Sequence, residues 1–348
     1  MTKVTGLAFT GDRVAELREF EIGEPGPTEV RLRVQASGIC GSDLHTYDSE
    51  RGLRAPGTDT LLVAGHEPSG IVESVGSEVR DFAVGDRVLA YHILGCGNCY
   101  NCRLGYPVVC TSVDERKAYG GERNGGHAPL LLVEQRSLIK LPDELSFADG
   151  AMIACGVGTA YSALRKTGAK TGDRLLVTGL GPVGLAVTLL ASTFGIEVIG
   201  ADINPVRAQE ATHHGASHVI LKTGEEALAE IMAITGGLGV NAAIDCTGAA
   251  AARELCIEAS ATWGQVVFVG VGRSTITFDP TVQVIVKMLT IRGSWVSSQA
   301  EMQELTGILA RRGVHPDSLV THTFELADGV EAYELFAGGA SGKMAFTF

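Results

Sequence analysis

The feature that most constrains the fold of this chain is an apolar run that ends in a glycine-rich turn and continues as a helical segment. Residues 175–178 have the composition of a buried strand, and the letters GLGPVG follow at 179–184. Such a turn can hold the pyrophosphate of a dinucleotide, because glycines lack a Cβ atom and a helix N-terminus favours negative charge. The candidate cofactor residues at this turn are Gly179, Gly181, Pro182, Val183 and Gly184.

The region from 157 to 296 alternates strand-like runs with helical segments. A helix start at Asn204-Pro205 and a helix stop at Gly215 punctuate it. This alternation predicts an α/β domain with a doubly wound parallel sheet. The predicted strands lie at 175–178, 197–201, 218–221, 242–245, 265–270 and 290–294.

The second of these strands ends at Asp202, which lies 18 residues after Gly184. A carboxylate at this place accepts hydrogen bonds from the ribose hydroxyls of a dinucleotide and repels a 2′-phosphate, so NAD is favoured over NADP. Arg207 is close in sequence and would weaken that preference. The alternative interpretation is a tight turn followed by an ordinary surface aspartate.

Composition and charge limit the classes of function. The net charge of −12 disfavours nucleic-acid binding, and 348 residues suggest about two domains. The uncharged stretch 175–196 is long enough to span a bilayer, but its clustered glycines and proline predict a strand, a turn and a helix instead. We therefore expect no membrane span. The first residues do not resemble a secretion signal, which predicts a cytoplasmic protein.

The segment before residue 156 is predicted to be rich in strands. Residues 30–34 alternate apolar and polar side chains, and short glycine-bounded runs lie at 70–76 and 86–90. The chain beyond about 297 is long enough to return to this first domain. We expect one domain from 1–156 with 297–348, and a second domain from 157–296.

Four cysteines form a compact group within residues 92–112, with the spacing CxxCxxCx7C. Four thiolates satisfy a tetrahedral zinc ion and leave no open position, which predicts a structural zinc site. An iron–sulfur cluster is the main alternative, because it also prefers thiolates. The predicted ligands are Cys96, Cys99, Cys102 and Cys110.

Several motifs spread along the chain resemble the zinc-containing medium-chain dehydrogenases/reductases. They are GICGSDLH, GHEPSGIVESVG, GDRV, the four-cysteine group, CGVGTAY, GLGPVG and GADIN, in the order of that family. The resemblance implies a GroES-like β-rich catalytic domain joined to a Rossmann domain. It also implies an enzyme that moves a hydride between an alcohol and a nicotinamide cofactor.

Carried over by position, the resemblance implies a catalytic zinc ion on Cys40, His66 and Cys155, which makes two zinc ions per chain. Two cysteines and one histidine are the known catalytic ligand set of alcohol dehydrogenase, a member of this same family, and they leave a fourth position for the substrate oxygen. Glu67, with Asp43, would support the ligands or act as an occasional zinc partner.

A proton relay is the next implied feature of the catalytic site. Ser42 would take the proton of the alcohol and His45, three residues later, would pass it to solvent. Further cofactor contacts implied by the resemblance are Thr159, Ile203, Thr247, Val269, Gly270, Val271 and Lys343.

Two positions of the sequence indicate different substrate classes. Gly41 is typical of polyol dehydrogenases, whereas Cys155 as third ligand is typical of alcohol dehydrogenases. We therefore expect a secondary alcohol or a polyol as the small-molecule substrate. The alternatives are an amino-alcohol or aminocyclitol dehydrogenase, and a zinc-stabilised NAD-binding protein without turnover. The family also implies subunit pairing around residues 284–295, in a homotetramer or a dimer.

Overall fold

A computed structural model describes residues 1–339 and 342–348. The chain divides into two compact units, Met1–Gly158 with Ser297–Phe348, and Thr159–Val296. None of the described helices is long and apolar enough to cross a membrane.

The first unit is built mainly of strands. Its strands are β1 (Thr2–Gly11), β2 (Val14–Ile22), β3 (Glu29–Ile39), β4 (Glu67–Val75), β5 (Arg87–Ala90), β6 (Ile93–Leu94), β7 (Lys117–Ala118), β8 (Leu130–Glu134), β9 (Leu138–Lys140), β16 (Val320–Glu325) and β17 (Lys343–Thr347). Its helices are α1 (Asp43–Tyr47), α2 (Tyr100–Arg103), α3 (Phe147–Met152), α9 (Gln299–Arg312) and α10 (Gly329–Ala337).

Strand β3 organises the main sheet of the first unit. The sheet runs in the order β16-β17-β3-β4-β5-β9, and β8 also pairs with β3. The alternation predicted for 30–34 is confirmed, because Val30, Leu32 and Val34 are fully buried while the intervening arginines are not. These three side chains pack with Val72, Val88 and neighbouring residues into one core. The last strand, β17, pairs antiparallel with β3, so the C-terminal segment lies in this sheet.

The second unit alternates strands with helices. Its strands are β10 (Arg174–Thr178), β11 (Glu197–Ala201), β12 (Ala216–Ile220), β13 (Val240–Asp245), β14 (Ser260–Phe268) and β15 (Thr290–Gly293). Its helices are α4 (Gly158–Thr167), α5 (Pro182–Thr193), α6 (Pro205–His213), α7 (Gly224–Ile234) and α8 (Ala250–Glu258).

The strands of the second unit form one parallel sheet in the order β12-β11-β10-β13-β14-β15. The predicted doubly wound α/β fold is thereby confirmed. The strand order reverses between β10 and β13, which lie side by side in the middle of the sheet, and ligands of such folds bind at this reversal. Residues 175–178 are completely buried, as a strand covered on both faces requires.

The predicted bounds agree with β11, differ by one or two residues at the ends of β10, β12, β13 and β15, and differ most for β14. β14 begins at Ser260, five residues before the predicted start at 265, because Ser260 pairs with Val240 before the register shifts. It also ends at Phe268, since the backbone N–H groups of Val269 and Gly270 both turn to the carbonyl of Asp245.

A buried carboxylate fastens the returning C-terminal segment to the first unit. Ser146 caps α3 by accepting from the N–H of Asp149 at 2.9 Å, and the Asp149 carboxylate accepts from the N–H of Ser146 at 2.8 Å. The same carboxylate accepts from the N–H of Asp317 at 2.9 Å and from His315 Nδ1 at 2.9 Å. One side chain thus holds both the start of α3 and the segment after α9.

This contact predicts a pH-dependent contribution to stability. The hydrogen bond to Asp149, and then its charge, raise the pKa of His315 above the ordinary 6.5. The contribution is therefore complete below about pH 6.5 and is lost as the pH rises through the raised pKa. We expect His315→Gln to lower the free energy of unfolding at pH 6 by about 1 kcal/mol or less, because the imidazole is half exposed, and to have a smaller effect at pH 9.

Thermal unfolding of both proteins at the two pH values measures this difference. His322→Gln is the matched control, because His322 is exposed and bonds the Thr321 hydroxyl rather than a carboxylate. An effect of His315→Gln that is equal at pH 6 and pH 9 would contradict the assignment.

Candidate active site and metal centres

Four potential ligands meet at one end of the first unit's sheet. One ligand atom each of Cys40, His66, Glu67 and Cys155 lies within 4.8 Å of the others. Cys40 directly follows β3, and His66 directly precedes β4. Because β3 and β4 are antiparallel neighbours in which Gly38 is paired with Glu67, the end of one strand meets the start of the other. Sequence-distant ligands thereby become neighbours.

Cys155 reaches the cluster from a π-helical turn. The segment Ile153–Val157, which follows α3 directly, has π-helical hydrogen bonding. Such turns insert an extra residue into a helix and are frequent at functional sites. The turn is buried on most of its length, whereas Cys155 itself is only partly buried. The π-helical turn therefore contains Cys155, the candidate ligand of this segment.

The imidazole of His66 is oriented by a carboxylate. His66 Nδ1 lies 2.7 Å from Asp43 Oδ1, and both side chains are buried. Since a carboxylate accepts and does not donate, Nδ1 carries a proton, and Nε2 is the nitrogen that faces the cluster. Burial lowers the pKa of His66, but the charges of Asp43 and Cys40 outweigh it and raise the pKa well above 6.5, so a cation would bind Nε2 in place of a proton. This carboxylate–histidine arrangement is the usual support of a zinc-binding histidine.

The two thiols of the cluster share a hydrogen bond. The bond from Cys155 and the charge of His66 lower the pKa of Cys40 well below its ordinary value, although burial opposes this. The same bond raises the pKa of Cys155 well above its ordinary value. One thiolate therefore forms readily, and a divalent cation in place of the shared proton would accommodate two.

Glu67 contributes a carboxylate that is not fully satisfied. Its Oε2 accepts from Lys343 Nζ at 2.5 Å, whereas Oε1 is buried and has no hydrogen-bond partner among the described residues. Burial raises the pKa of Glu67 to about 7, although Lys343 opposes the shift. An orphaned, buried carboxylate oxygen beside two thiols and an imidazole fits a bound cation.

The resemblance implies that Lys343 contacts the cofactor, but in the structure its side chain bonds to other residues of the first unit. Its ammonium is buried and donates to the Ile39 carbonyl at 2.8 Å and to Glu67. In the structure its ammonium lies beside the candidate metal ligands of the first unit.

Of the two predicted relay residues, the structure brings one to the cluster. Ser42 Oγ lies 3.4 Å from Cys40 Sγ and 3.4 Å from His66 Nε2, and Ser42 is exposed. His45 lies on α1 with an exposed side chain. Among the described residues no hydrogen bond joins the two side chains directly.

The four cysteines of the lobe form a second cluster. Cys96 Sγ and Cys102 Sγ are 3.9 Å apart, and Cys99 Sγ and Cys110 Sγ are 3.8 Å apart. Sulfurs at about 2.3 Å from a tetrahedral zinc ion lie about 3.8 Å from one another, so the residues fit one zinc ion. In a cubane cluster each thiolate binds a different iron, which holds the sulfurs farther apart. The spacing therefore favours zinc over the iron–sulfur alternative.

Backbone groups stabilise the charged form of these thiols. Cys96 Sγ accepts from the N–H groups of Asn98 at 3.4 Å and Cys99 at 3.3 Å. The N–H of Cys102 is the main cause that lowers the pKa of Cys99 to about 5. Cys96 and Cys99 are thus prepared to supply thiolates, which are the form that binds zinc. Burial instead raises the pKa of Cys102 to about 12, so this thiol would lose its proton only as the cation binds.

The glycine turn of the second unit borders a cavity of about 610 Å³. The cavity lies at the carboxyl ends of β10, β11 and β13. Its lining includes seven of the predicted cofactor residues, namely Gly179, Gly181, Pro182, Asp202, Ile203, Arg207 and Thr247. Gly184 lies behind the turn, where a Cβ atom would be 1.9 Å from the Gly179 carbonyl. Its role is to let α5 approach the strand closely.

Asp202 also closes the glycine turn. Its carboxylate accepts from the N–H of Leu180 at 2.7 Å and from the N–H of Asn204 at 2.8 Å. Arg207 Nη1 lies 3.9 Å from the same carboxylate. The residue therefore has a structural contact that the sequence interpretation omits, while it still borders the cavity.

The other predicted cofactor residues do not line this cavity. Thr159 is buried at the start of α4, and Val183 and Val269 are largely covered. Gly270 packs against the backbone of Thr247, whereas Val271 is 77% exposed.

Three candidate functional residues were not identified from the sequence. His92 is buried with its ring 4.9 Å from the His66 ring. His127 and Tyr333 are fully buried and hydrogen-bonded to each other at 2.8 Å, and Tyr333 donates to Asp43 at 3.1 Å. Their spacing in the sequence carries no signal, because each comes from a different segment.

Comparisons with known proteins agree with this organisation. The family model of the alcohol dehydrogenase GroES-like domain matches residues 26–143, and that of zinc-binding dehydrogenases matches residues 182–311. The chain is 40% identical to the uncharacterised zinc-type alcohol dehydrogenase-like protein YphC of Escherichia coli, over 100% of this chain and 99% of that protein. It is 32% identical to an L-threonine 3-dehydrogenase of Pyrococcus horikoshii, over 95% and 94% of the two chains.

Solved structures share the complete fold. The alcohol dehydrogenase TADH of Thermus sp. ATN1 superposes with a TM-score of 0.89 at 28% identity, covering 99% of both chains. The 2R,3R-butanediol dehydrogenase of Bacillus subtilis has a TM-score of 0.88 at 26% identity, also over 99% of both chains. From this agreement over the whole chain, the protein belongs to the zinc-dependent medium-chain dehydrogenase family, whose members combine a GroES-like domain with a Rossmann domain and oxidise or reduce alcohols.

Proposed function

We propose that the protein is a zinc-dependent, NAD-linked dehydrogenase that interconverts a secondary alcohol or polyol and its carbonyl product. The observation that carries the proposal is the convergence of Cys40, His66 and Cys155, with Asp43 behind His66. Two thiolates and one imidazole would hold a zinc ion and leave a fourth position, as catalytic zinc sites do. In this proposal Glu67 Oε1, the fourth potential ligand of the cluster, takes that position when no substrate oxygen is bound. The four-cysteine lobe holds a second, structural zinc ion.

Cys40, His66 and Cys155 would hold a zinc ion, which would lower the pKa of a substrate hydroxyl, and the cavity of the second unit would hold NAD, which would supply the hydride acceptor. Side chains of the protein hold the ligands in place. Asp43 holds His66 in the tautomer that presents Nε2, and the Lys343–Glu67 pair holds a carboxylate beside the ligands.

The proton of the alcohol leaves through Ser42. Its hydroxyl lies 3.4 Å from both Cys40 Sγ and His66 Nε2, so it borders the open side of the cluster. Ser42 is exposed, and His45 is exposed one helical turn away on α1. In this proposal Ser42 takes up the substrate proton as it gives up its own, and His45 releases a proton to solvent. Because no direct hydrogen bond joins Ser42 and His45 among the described residues, a hydroxyl group or water between them would carry the proton.

His92 supports a substrate with more than one hydroxyl. Its Nδ1 lies 3.2 Å from the Ala154 carbonyl, which can only accept, so Nδ1 carries the proton. Burial lowers the pKa of His92 to about 3, so the ring is neutral and Nε2 is an acceptor. No partner of Nε2 is found among the described residues. A second substrate hydroxyl would donate to it, which favours diols and polyols.

Asp202 supports NAD as the cofactor. It lies at the end of β11 and borders the cavity. Each carboxylate oxygen accepts one backbone N–H and keeps a further lone pair with which it can accept from a ribose hydroxyl. A 2′-phosphate at this position meets that negative charge. An Escherichia coli alcohol dehydrogenase (rspB), 26% identical to this chain, was solved as a complex with NADH.

A second substrate class is also favoured by one observation. Threonine is an amino alcohol, and an L-threonine 3-dehydrogenase is 32% identical to this chain over 95% of its length. An amino-alcohol or aminocyclitol dehydrogenase is therefore the alternative enzyme. A zinc-stabilised NAD-binding protein without turnover is the alternative from another class, and the open ligand cluster argues against it.

An assembly of subunits completes the proposal. Apolar side chains between 282 and 295 are more than half exposed in the second unit, and a patch of this kind commonly marks a protein interface. They are Val282, Ile285, Val286, Met288 and Trp295. We propose a homotetramer or a dimer formed through this region, in a cytoplasmic protein.

The ligand assignment predicts the zinc content. We expect two zinc ions per chain, one for each cluster. Cys40→Ser should leave one ion and lower the dehydrogenase activity by about a thousandfold, because several kcal/mol of charge stabilisation are lost. Metal analysis with activity assays measures both effects. Cys256→Ser is the control, since Cys256 is buried in the other unit outside both clusters. A Cys40→Ser protein that retains two zinc ions would contradict the assignment.

The cofactor assignment predicts a change of preference. Asp202→Asn removes the charge and should lower the ratio of kcat/KM for NAD to that for NADP about tenfold, or about 1.4 kcal/mol. Asp173→Asn is the control, because the Asp173 carboxylate also closes a turn, by accepting from the Lys170 N–H, but does not line the cavity. Steady-state kinetics with NAD and with NADP measure this ratio for the wild type and both variants. An unchanged ratio in the Asp202 variant, or an equal change in the control, would speak against the role.

The role of His92 predicts selective loss of polyol activity. His92→Phe removes the acceptor and should lower kcat/KM for polyols about tenfold or more, while a monohydroxy secondary alcohol is little affected. The measurement is a substrate panel of short alcohols, diols, polyols and amino alcohols, with the zinc content determined in parallel. Equal losses for all substrates at unchanged zinc content would remove His92 from substrate recognition.

A further inference from the structure

A buried chain of hydrogen bonds leads to the ligand His66 from the interior of the first unit. Ser37 Oγ lies 2.9 Å from His127 Nδ1, and His127 Nε2 lies 2.8 Å from the Tyr333 hydroxyl. That hydroxyl lies 3.1 Å from Asp43 Oδ2, and Asp43 Oδ1 lies 2.7 Å from His66 Nδ1. All five side chains are at most 10% exposed. This series of hydrogen bonds therefore links the candidate ligand His66 to buried side chains that solvent does not reach.

Only one assignment of donors and acceptors fits this series of hydrogen bonds. The Asp43 carboxylate accepts at both ends, so Tyr333 donates to it and His66 Nδ1 donates to it. The Tyr333 oxygen must then accept from His127 Nε2–H, and His127 Nδ1 accepts from Ser37. Burial lowers the pKa of His127 to about 4, which agrees with a neutral ring of this single tautomer.

The aromatic residues around the chain leave Tyr333 little freedom. Tyr333 lies on α10, and its ring centroid is 4.7 Å from that of Phe9 and 5.6 Å from that of Tyr47. The His127 ring packs where Gly65 has no side chain: a Cβ atom there would lie 2.3 Å from the ring, and Gly65 has a φ of +84°. His127 thus lies directly against the residue that precedes His66.

We propose that Tyr333 and His127 are positioning residues that hold the Asp43 carboxylate, and through it His66, in the orientation that presents Nε2 to the metal. The proposal rests on the catalytic zinc ion of the proposed function. Asp43 Oδ2 receives two donors, the Tyr333 hydroxyl and the N–H of Cys40 at 2.9 Å. Two donors from different directions fix the plane of the carboxylate, whereas one donor permits rotation. Loss of the hydroxyl also leaves His127 Nε2–H buried without an acceptor.

The neighbouring tyrosine provides a matched control. Tyr47 is buried in the same aromatic cluster, but no hydrogen bond of its hydroxyl is found in the described part of the chain. Tyr333→Phe and Tyr47→Phe therefore remove the same atom from two rings of one aromatic cluster, and only the first breaks the series of hydrogen bonds to Asp43. Similar folding of the two variants can be checked by thermal unfolding.

The test is the zinc affinity of each cluster, measured by competition with a chromophoric chelator. Tyr333→Phe should weaken zinc binding at the Cys40, His66 and Cys155 cluster about 10- to 100-fold, as losses of such supporting groups do. Affinity at the four-cysteine lobe should be unchanged. Tyr47→Phe should leave both affinities at the wild-type values.

Two variants of His127 give an independent readout. His127→Leu removes the donor to Tyr333 and should weaken zinc binding at the same cluster. His127→Gln keeps an N–H donor at similar reach and should restore most of the affinity. A His127→Gln protein as impaired as His127→Leu would overturn the part assigned to the histidine.

The failures of the two proposals are distinguishable. A wild-type protein with a single zinc ion that Cys40→Ser does not remove would refute the proposed function itself. A wild-type protein with two zinc ions, in which Tyr333→Phe and Tyr47→Phe have equal affinity at the cluster, would refute only the positioning role.

Discussion

The antiparallel pairing of β3 with β4 is the constraint on which the active site depends. It places Cys40, after the end of one strand, beside His66, before the start of the next. The third ligand, Cys155, is added by a π-helical turn after α3, whose start is held by the buried Asp149. β17 pairs with the other edge of β3 and brings Lys343 to Glu67. The C-terminal segment thus supports a cluster whose ligands lie far away in sequence.

Sequence patterns with short periods predict the fold well. The alternation at 30–34 reflects a strand with one buried face, and the uncharged run at 175–178 reflects a strand covered on both faces. The grouping of the four lobe cysteines is likewise visible in the sequence, because they lie within one loop at a spacing typical of a metal site. In each case the physical cause acts between residues that are close in sequence.

The site residues that the sequence does not reveal depend on contacts between distant segments. His127 and Tyr333 carry no spacing signal, yet they meet because α10 packs on the core that contains Phe9. Lys343 follows a family pattern that suggests a cofactor contact, but its ammonium is buried against Glu67. The sequence predicts only a cofactor contact for Asp202, whereas its carboxylate also ties the glycine turn to β11. These roles follow from tertiary packing rather than from periodicity or motif.

The central claim is that one cluster of the first unit holds a zinc ion with three protein ligands. An anomalous-difference map at the zinc absorption edge, from crystals of the protein purified without chelator, tests it most directly. The account predicts one peak among the four lobe cysteines and a second at about 2.3 Å from Cys40 Sγ and Cys155 Sγ and about 2.0 Å from His66 Nε2. A map with a peak in the lobe and none near His66 would contradict it.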